Sequence, residues 1–331
     1  MIGPPTTGKS TSAAMLIASQ PRGTAVVYAS QRPLEQLRSR FSGAGAHGQA
    51  DLLVIGVDPA RDPSVVRCFV PLVAMRLANE LRARHSQVLL VLDDLAAFAE
   101  ACAEVNALPI GAPQISAAAL DMAGCVETPD GERSLTVAAI FDFDHDAELM
   151  SVHRDLWRSS EPSLDVRLVY DLRLAADGVL PAIDVEHFFC TGFAPTYQAP
   201  LLQRLRAEML RKLRADSALR ERIETGEQLG LHTEPQDQEE LASGRIARAL
   251  LAHSRAQPLP ELALICCAML VYYFPRQSRL PSRTAIANFQ DELLATFSQH
   301  HPRLWEALCA LEELPDEEAA RLLRAVGEAL L

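Results

Sequence analysis

Residues 3–10 read GPPTTGKS, which places two glycines, a lysine and a hydroxyl at the spacing G-x-x-x-x-G-K-S/T. The chemistry this pattern serves is phosphate binding. Gly3 and Gly8 let the backbone turn so that successive N–H groups converge on an anion, with Thr6 and Thr7 supplying peptide units between them. A helix starting near Lys9 adds the positive end of its dipole. The Lys9 ammonium is the group that reaches the β- and γ-phosphates. The Ser10 hydroxyl is a Mg²⁺ ligand, and Thr11 follows in the same first turn. A Gly/Pro/Thr-rich surface turn could match by chance, so independent signals matter. One is lysine usage: Lys9 and Lys212 are the only lysines, all other basic side chains being Arg.

A further signal lies at 87–94, QVLLVLDD. An apolar β-run ending in Asp93-Asp94 sets a carboxylate at the carboxyl end of a strand, where it holds Mg²⁺ through water. A buried parallel strand with an acidic turn is the competing account of that run taken alone. The two motifs in this order predict binding of ATP with Mg²⁺. Asp142 directly follows another β-run, Leu135 to Phe141, which would allow it a place near the phosphate end of the sheet, although a solvated loop is the favoured reading there.

These residues need a scaffold, and the pattern between them supplies one. Thr24 to Ala29 and Leu52 to Val57 are strand candidates; Leu34 to Phe41 and Pro63 to His85 read as helices. Alternation of strands and helices predicts an α/β domain with a mostly parallel sheet over 1–198. From Ala199 the β-runs cease and Leu201, Leu202, Leu205, Met209 and Leu213 recur at helical spacing, so 199–331 is expected to be an all-helical domain. The apolar run Leu262 to Phe274 is too short to cross a bilayer and reads as a core helix.

Composition narrows the function. The chain has 331 residues, 49% of them apolar, and a net charge of −12, which gives no overall positive field for nucleic acid or anionic lipid. Seven cysteines without C-x-x-C spacing read as reduced thiols rather than a zinc site or disulfide framework. Asp142, Asp144, His145, Asp146, His153 and Asp155 form an acidic, His-containing stretch that reads as a solvated loop more readily than as a metal site. Trp157 and Trp305 read as packing residues.

With these residues in view, the chain resembles the alpha subunit of the F-type ATP synthase from its P-loop onward. VVYASQRP resembles the strand and Gln-containing turn after the P-loop, and Pro71 falls inside the long helix where the family also has proline. VLDDL, RSLTVAAIF, LPAIDV and ATFSQHH resemble further segments, the last two being the more specific. The resemblance implies a RecA-like nucleotide-binding domain and a helical C-terminal domain. It implies a place in a ring with beta-type catalytic subunits around a central stalk, with ATP held at a non-catalytic site. It also implies the matrix face of the mitochondrial inner membrane or, alternatively, the cytoplasmic face of a bacterial plasma membrane, reached only through the complex. Hydrolytic subunits of that family carry a Glu after the second strand. Gln31 stands there, and an amide cannot act as a general base. Glu35 is close in sequence, but a helix would carry it away from the γ-phosphate.

The departures set further expectations. FCTGFAP stands where the family's alpha subunits carry an arginine that reaches the neighbouring catalytic site, with Cys190 or Thr191 in its place. His253 and Arg255 stand where the resemblance puts adenine-proximal glutamines, so these two are the expected base contacts. Pro109 to Pro113 replaces the family's Pro-Gly-Arg-Glu motif. Only Met1 and Ile2 precede Gly3, so the strand feeding the P-loop is expected to be missing from the sheet. Either the sequence is truncated or another polypeptide supplies the missing part, and the expectation is a hole there or a chain or segment paired in the gap. Two other functions fit the residues: a repurposed nucleotide-binding scaffold in a large, mitochondrial assembly, and an independent P-loop ATPase.

Overall fold

The computed structural model describes residues 1–43, 51–105, 111–129, 131–142, 151–176, 178–190, 200–230, 237, 241, 244, 248, 258–269, 283–310 and 316–329. They fall into two compact units, one within Met1–Cys190 and one carrying the helices that begin at Pro200. The boundary expected at Gln198 lies outside the described residues.

The first unit is α/β. Its strands are β1 (Ile2–Gly3), β2 (Ala25–Ser30), β3 (Asp51–Gly56), β4 (Gln87–Asp93), β5 (Gly124–Thr128), β6 (Gly131–Ala139), β7 (Phe141–Asp142), β8 (Val166–Tyr170) and β9 (Ile183–Cys190). Its helices are α1 (Lys9–Ala18), α2 (Leu34–Gly43), α3 (Ser64–Arg82), α4 (Leu95–Val105), α5 (Ala112–Asp121), α6 (Ser151–Ser160) and α7 (Leu172–Ala176). Five strands run in the order β3-β2-β4-β6-β5 and four in the order β7-β1-β8-β9. Every pairing is parallel except β5–β6 and β8–β9. Only Ile140 separates β6 from β7. Its N–H donates to the Leu92 carbonyl oxygen at 2.9 Å, so one chain segment links both groups of strands.

The apolar runs explain these strands. β2 is buried at every position and β4 at every position after Gln87. Strands covered on both faces read as continuous hydrophobic runs, as interior parallel strands must. One face packs Ala74, Phe98, Ile115 and Leu156 from α3, α4, α5 and α6. The other packs Ala13, Ala14 and Ile17 from α1 and Leu37 and Phe41 from α2. Trp157 packs edge-on against Phe141, ring centroids 5.4 Å apart, which is a core contact.

The strand feeding the P-loop is present only as a stub, a correction to its expected absence. Ile2 pairs with Phe141 on one side and Val169 on the other, so β1 sits between β7 and β8. Behind the stub lies a cavity of ≈ 600 Å³ that includes Met1 in its wall.

The second unit contains α8 (Pro200–Gln228), α9 (Leu259–Ala268), α10 (Arg283–His300), α11 (Pro302–Cys309) and α12 (Asp316–Ala329). α9 is its centre: Ala263 to Ala268 are buried, and the helix meets α8, α10, α11 and α12. Buried Asp216 accepts from Arg248 Nε at 2.9 Å and from Arg220 Nε at 3.1 Å. Among the described residues, no helix is long and apolar enough to cross a membrane.

Candidate functional site

Parallel strands bring their carboxyl ends to one edge of a sheet, and ligand crevices form there. At that edge stand Gly3 ending β1, Ser30 ending β2 with Gln31 after it, Asp93 ending β4 with Asp94 after it, and Asp142 at the end of β7. Strand order sets Asp142 between the P-loop on β1 and the Asp pair on β4.

The P-loop backbone has the conformation an anion requires. Thr6 has φ 68° and Gly8 φ 94°, both left-handed, and such alternation turns backbone N–H groups toward one concavity. A β-branched residue in that region is strained, and strain of this kind gathers at ligand clamps. A Cβ added at Gly3 would lie 2.5 Å from the Tyr170 carbonyl oxygen, so the close approach of β1 to β8 allows no side chain there. The loop is held from outside as well. Ala182 N–H donates to the Thr7 carbonyl oxygen at 3.0 Å, and Pro181 lies against Gly8. The segment LPAIDV therefore braces the phosphate loop.

Lys9 is 4% exposed and fully engaged within this site. Its ammonium donates to the Gly3 carbonyl oxygen at 2.7 Å, to the Pro4 carbonyl oxygen, and to Thr7 Oγ1 at 3.3 Å. Asp142 Oδ1 lies 2.8 Å from Nζ, a contact of opposite charges rather than an aligned hydrogen bond. Ser10 is partly exposed in the first turn of α1, and Thr11 is exposed.

On the β4 side, Asp93 is buried and its Oδ2 accepts from the Tyr28 hydroxyl. Asp94 accepts at Oδ1 from the N–H groups of Ala96 and Ala97, capping α4. Burial pushes the Asp94 carboxyl up to about 7, with the negative charges of Asp142 and Asp93 adding to the effect and the two N–H groups opposing it.

Gln31 is 9% exposed and lines a small pocket with Ser30, Asp93 and Asp94. Its Oε1 accepts a long bond of 3.5 Å from Arg67, while its Nε2 has no partner among the described residues. A buried donor without a partner, beside the carboxylates that would hold a metal, fits an oxygen-rich ligand in that place. Glu35 is exposed on the first turn of α2, as expected of a residue carried away by a helix.

The structure thus brings together Gly3, Thr6, Thr7, Gly8, Lys9, Ser10 and Thr11 on one loop, with Gln31 and Asp93 at the same edge of the sheet. His253 and Arg255 lie outside the described residues, as do Asp144, His145, Asp146 and Thr191. His153 Nε2 lies 3.0 Å from Glu100 Oε1, within the packing of α6 on α4. Sequence reading missed two contributors. Tyr28 was hidden in an apolar run; its position two residues before Ser30 was the available signal. Arg67 interrupts the apolar pattern of α3 and is tied to Ser64 at 2.7 Å and Glu104 at 2.8 Å while facing Gln31.

Comparison with known families matches residues 1–188, more than half of the chain, to the ATP synthase alpha/beta family, nucleotide-binding domain. No curated protein matches. The matched span covers every described site residue.

Proposed function

The chain belongs to the ATP synthase alpha/beta family, and from that premise we propose that it is a non-catalytic, alpha-like subunit that holds ATP without turning it over. Nucleotide binding follows from the family and from the phosphate loop. The absence of turnover rests on one observation: the buried side chain facing the Asp pair is Gln31, an amide that can orient a water or phosphate oxygen through Nε2 but cannot take a proton.

In this reading Lys9 leaves its own loop oxygens for the β- and γ-phosphates, and the N–H groups between Gly3 and Ser10 surround them. Mg²⁺ would be held by Ser10 directly and by Asp93 through water, and it would neutralise phosphate charge. The natural setting is a ring with beta-type catalytic subunits and a central stalk, at the matrix face of the mitochondrial inner membrane. Ligand binding at a thousandfold excess over Kd adds about 4 kcal/mol of stability, so a kept nucleotide serves the fold as well.

The test compares the purified chain with Lys9→Ala. Loss of a charge-assisted contact to phosphate is worth about 1.5–3 kcal/mol, so ATP affinity falls roughly tenfold to a hundredfold. The wild-type chain gives no hydrolysis above the Lys9→Ala background. Lysine-dependent turnover would overturn the reading in favour of an independent ATPase. Copurification with partners other than ring subunits would favour the scaffold.

A further inference from the structure

A side-chain amide has an acceptor oxygen and a donor nitrogen, and its neighbours decide which way round it sits. Gln31 is 9% exposed, and its backbone N–H donates to the Asp93 carbonyl oxygen at 3.2 Å, which ties the turn after β2 to the end of β4. Arg67, in the first turn of α3, faces its side chain: Nη1 donates to Oε1 at 3.5 Å. A guanidinium carries donors only, so turning the amide over would set an NH₂ group against a cation. The arginine therefore keeps Oε1 toward itself and leaves both N–H donors of Nε2 to the pocket that Ser30, Asp93 and Asp94 also line. Nε2 is buried and has no partner among the described residues.

The arginine is itself held. Nη2 donates to Ser64 Oγ at 2.7 Å and to Glu104 Oε2 at 2.8 Å, and the Ser64 hydroxyl donates to the same carboxylate oxygen. Ser64 opens α3 and Glu104 lies in the last turn of α4, so one carboxylate spans two helices. The Glu104 side chain is 57% exposed and that of Arg67 14%, so these contacts run from the surface to the phosphate edge of the sheet. With its charge paired to Glu104, the guanidinium is committed to this brace. The group left to meet a ligand is the Gln31 amide.

What such an amide selects follows from its chemistry. A buried donor beside carboxylates that would hold Mg²⁺ suits an oxygen of the terminal phosphoryl group of a triphosphate. A diphosphate, one group shorter, leaves that donor unpaired. A site built around a hydrogen bond discriminates strongly against a ligand that lacks the acceptor.

We propose that Arg67 is a positioning residue for nucleotide selection: braced by Glu104 and Ser64, it holds the Gln31 amide with its donors toward the phosphates, so that the site prefers a nucleoside triphosphate to the diphosphate. The proposal rests on the nucleotide reading of the phosphate loop.

The test is calorimetric titration of the full chain with Mg-ATP and with Mg-ADP, read as the ratio of the two affinities. Arg67→Met keeps an unbranched side chain and removes the donors. It lowers the ratio about tenfold or more and leaves ADP affinity within about twofold. Gln31→Leu does the same. In the double variant the ratio equals that of Gln31→Leu alone, because the arginine acts through the amide. A merely structural arginine would weaken ATP and ADP equally, and one that touched phosphate itself would lower the ratio further in the Gln31→Leu background. Either result overturns the proposal, as does an unchanged ratio in folded Arg67→Met. Circular dichroism reports folding. If Arg67→Met does not fold, Glu104→Ala, at the exposed end of the brace, replaces it and lowers the ratio about threefold or more. No change in that variant overturns the proposal. Lys9→Ala separates the two claims. ATP affinity that depends on Lys9, with a ratio indifferent to Arg67, leaves the nucleotide reading standing and removes this one. A chain that binds neither nucleotide removes both.

Discussion

Asp142→Asn is expected to tighten ATP binding, because Asp142 competes with phosphate for Lys9. The two charges lie 2.8 Å apart with side-chain exposures of 4% for Lys9 and 21% for Asp142, so solvent screens them little. To reach a β- or γ-phosphate the ammonium must leave this contact. A charge-assisted contact is worth about 1.5–3 kcal/mol net and a neutral one about 1 kcal/mol. Asparagine keeps a neutral acceptor in place, so the contact loses about 0.5–2 kcal/mol, which corresponds to a gain in affinity of roughly two- to thirtyfold. Removing a negative charge from the phosphate end of the sheet acts in the same direction. The assay is calorimetric titration of ATP in EDTA, so that any part Asp142 plays in holding Mg²⁺ does not enter. A second titration with Mg²⁺ then isolates the metal's share. Affinity within twofold of wild type in EDTA, or weaker, with the fold intact, would refute the idea that Asp142 restrains the lysine.

Two further substitutions test other parts of the structure. Asp94 has a folded-state carboxyl pushed up to about 7 from 3.8. Its contribution to stability is therefore complete below pH about 4 and is lost as pH rises through about 7, at about 1.4 kcal/mol per pKa unit at most. Asp94→Asn keeps the helix cap and removes the charge, so in metal-free buffer its Tm should exceed wild type at pH 8 and approach it at pH 5. A Tm difference that does not change between those pH values counts against the assignment. In the helical unit, Asp216→Ala strands Arg248, whose side chain is 7% exposed, and also removes the Asp216 ion pair of Arg220. Leaving a buried charge uncompensated costs about 3–5 kcal/mol. Urea unfolding followed by a probe in that unit should show this loss, and a shift of under about 1 kcal/mol would contradict it.

Legibility in the sequence followed burial. β2 and β4 were readable because strands covered on both faces leave unbroken apolar runs, AVVYAS and QVLLVLD. α3 was readable because nineteen residues give helical periodicity room to show. β5 was not: Cys125, Val126 and Glu127 are all exposed, so GCVET carries no run and no clean alternation. β8 and β9 were missed because VRLVY and IDVEHFFC interrupt their apolar residues with Arg167, Asp184, Glu186 and His187. In the site, the phosphate loop and the Asp pair were legible because their backbone requirements are local. Arg67 and Tyr28 were not, since each reaches the site from an element read for its packing face. Asp142 stands between: its place after a β-run put it at the right edge of the sheet, and only strand order could put it beside Lys9.

The tight fit around Gly3 and Gly8 bears on how this chain can drift over generations. Gly3 is fixed by the Tyr170 backbone and Gly8 by Pro181 and a left-handed φ, contacts that involve no nucleotide. Selection for folding alone would preserve both glycines of GPPTTGKS. The informative positions for whether binding itself is under selection are then Lys9 and Ser10, the two side chains that would meet phosphate and Mg²⁺. Orthologues that keep the glycines but vary at those two positions would mark lineages in which the loop survives as architecture.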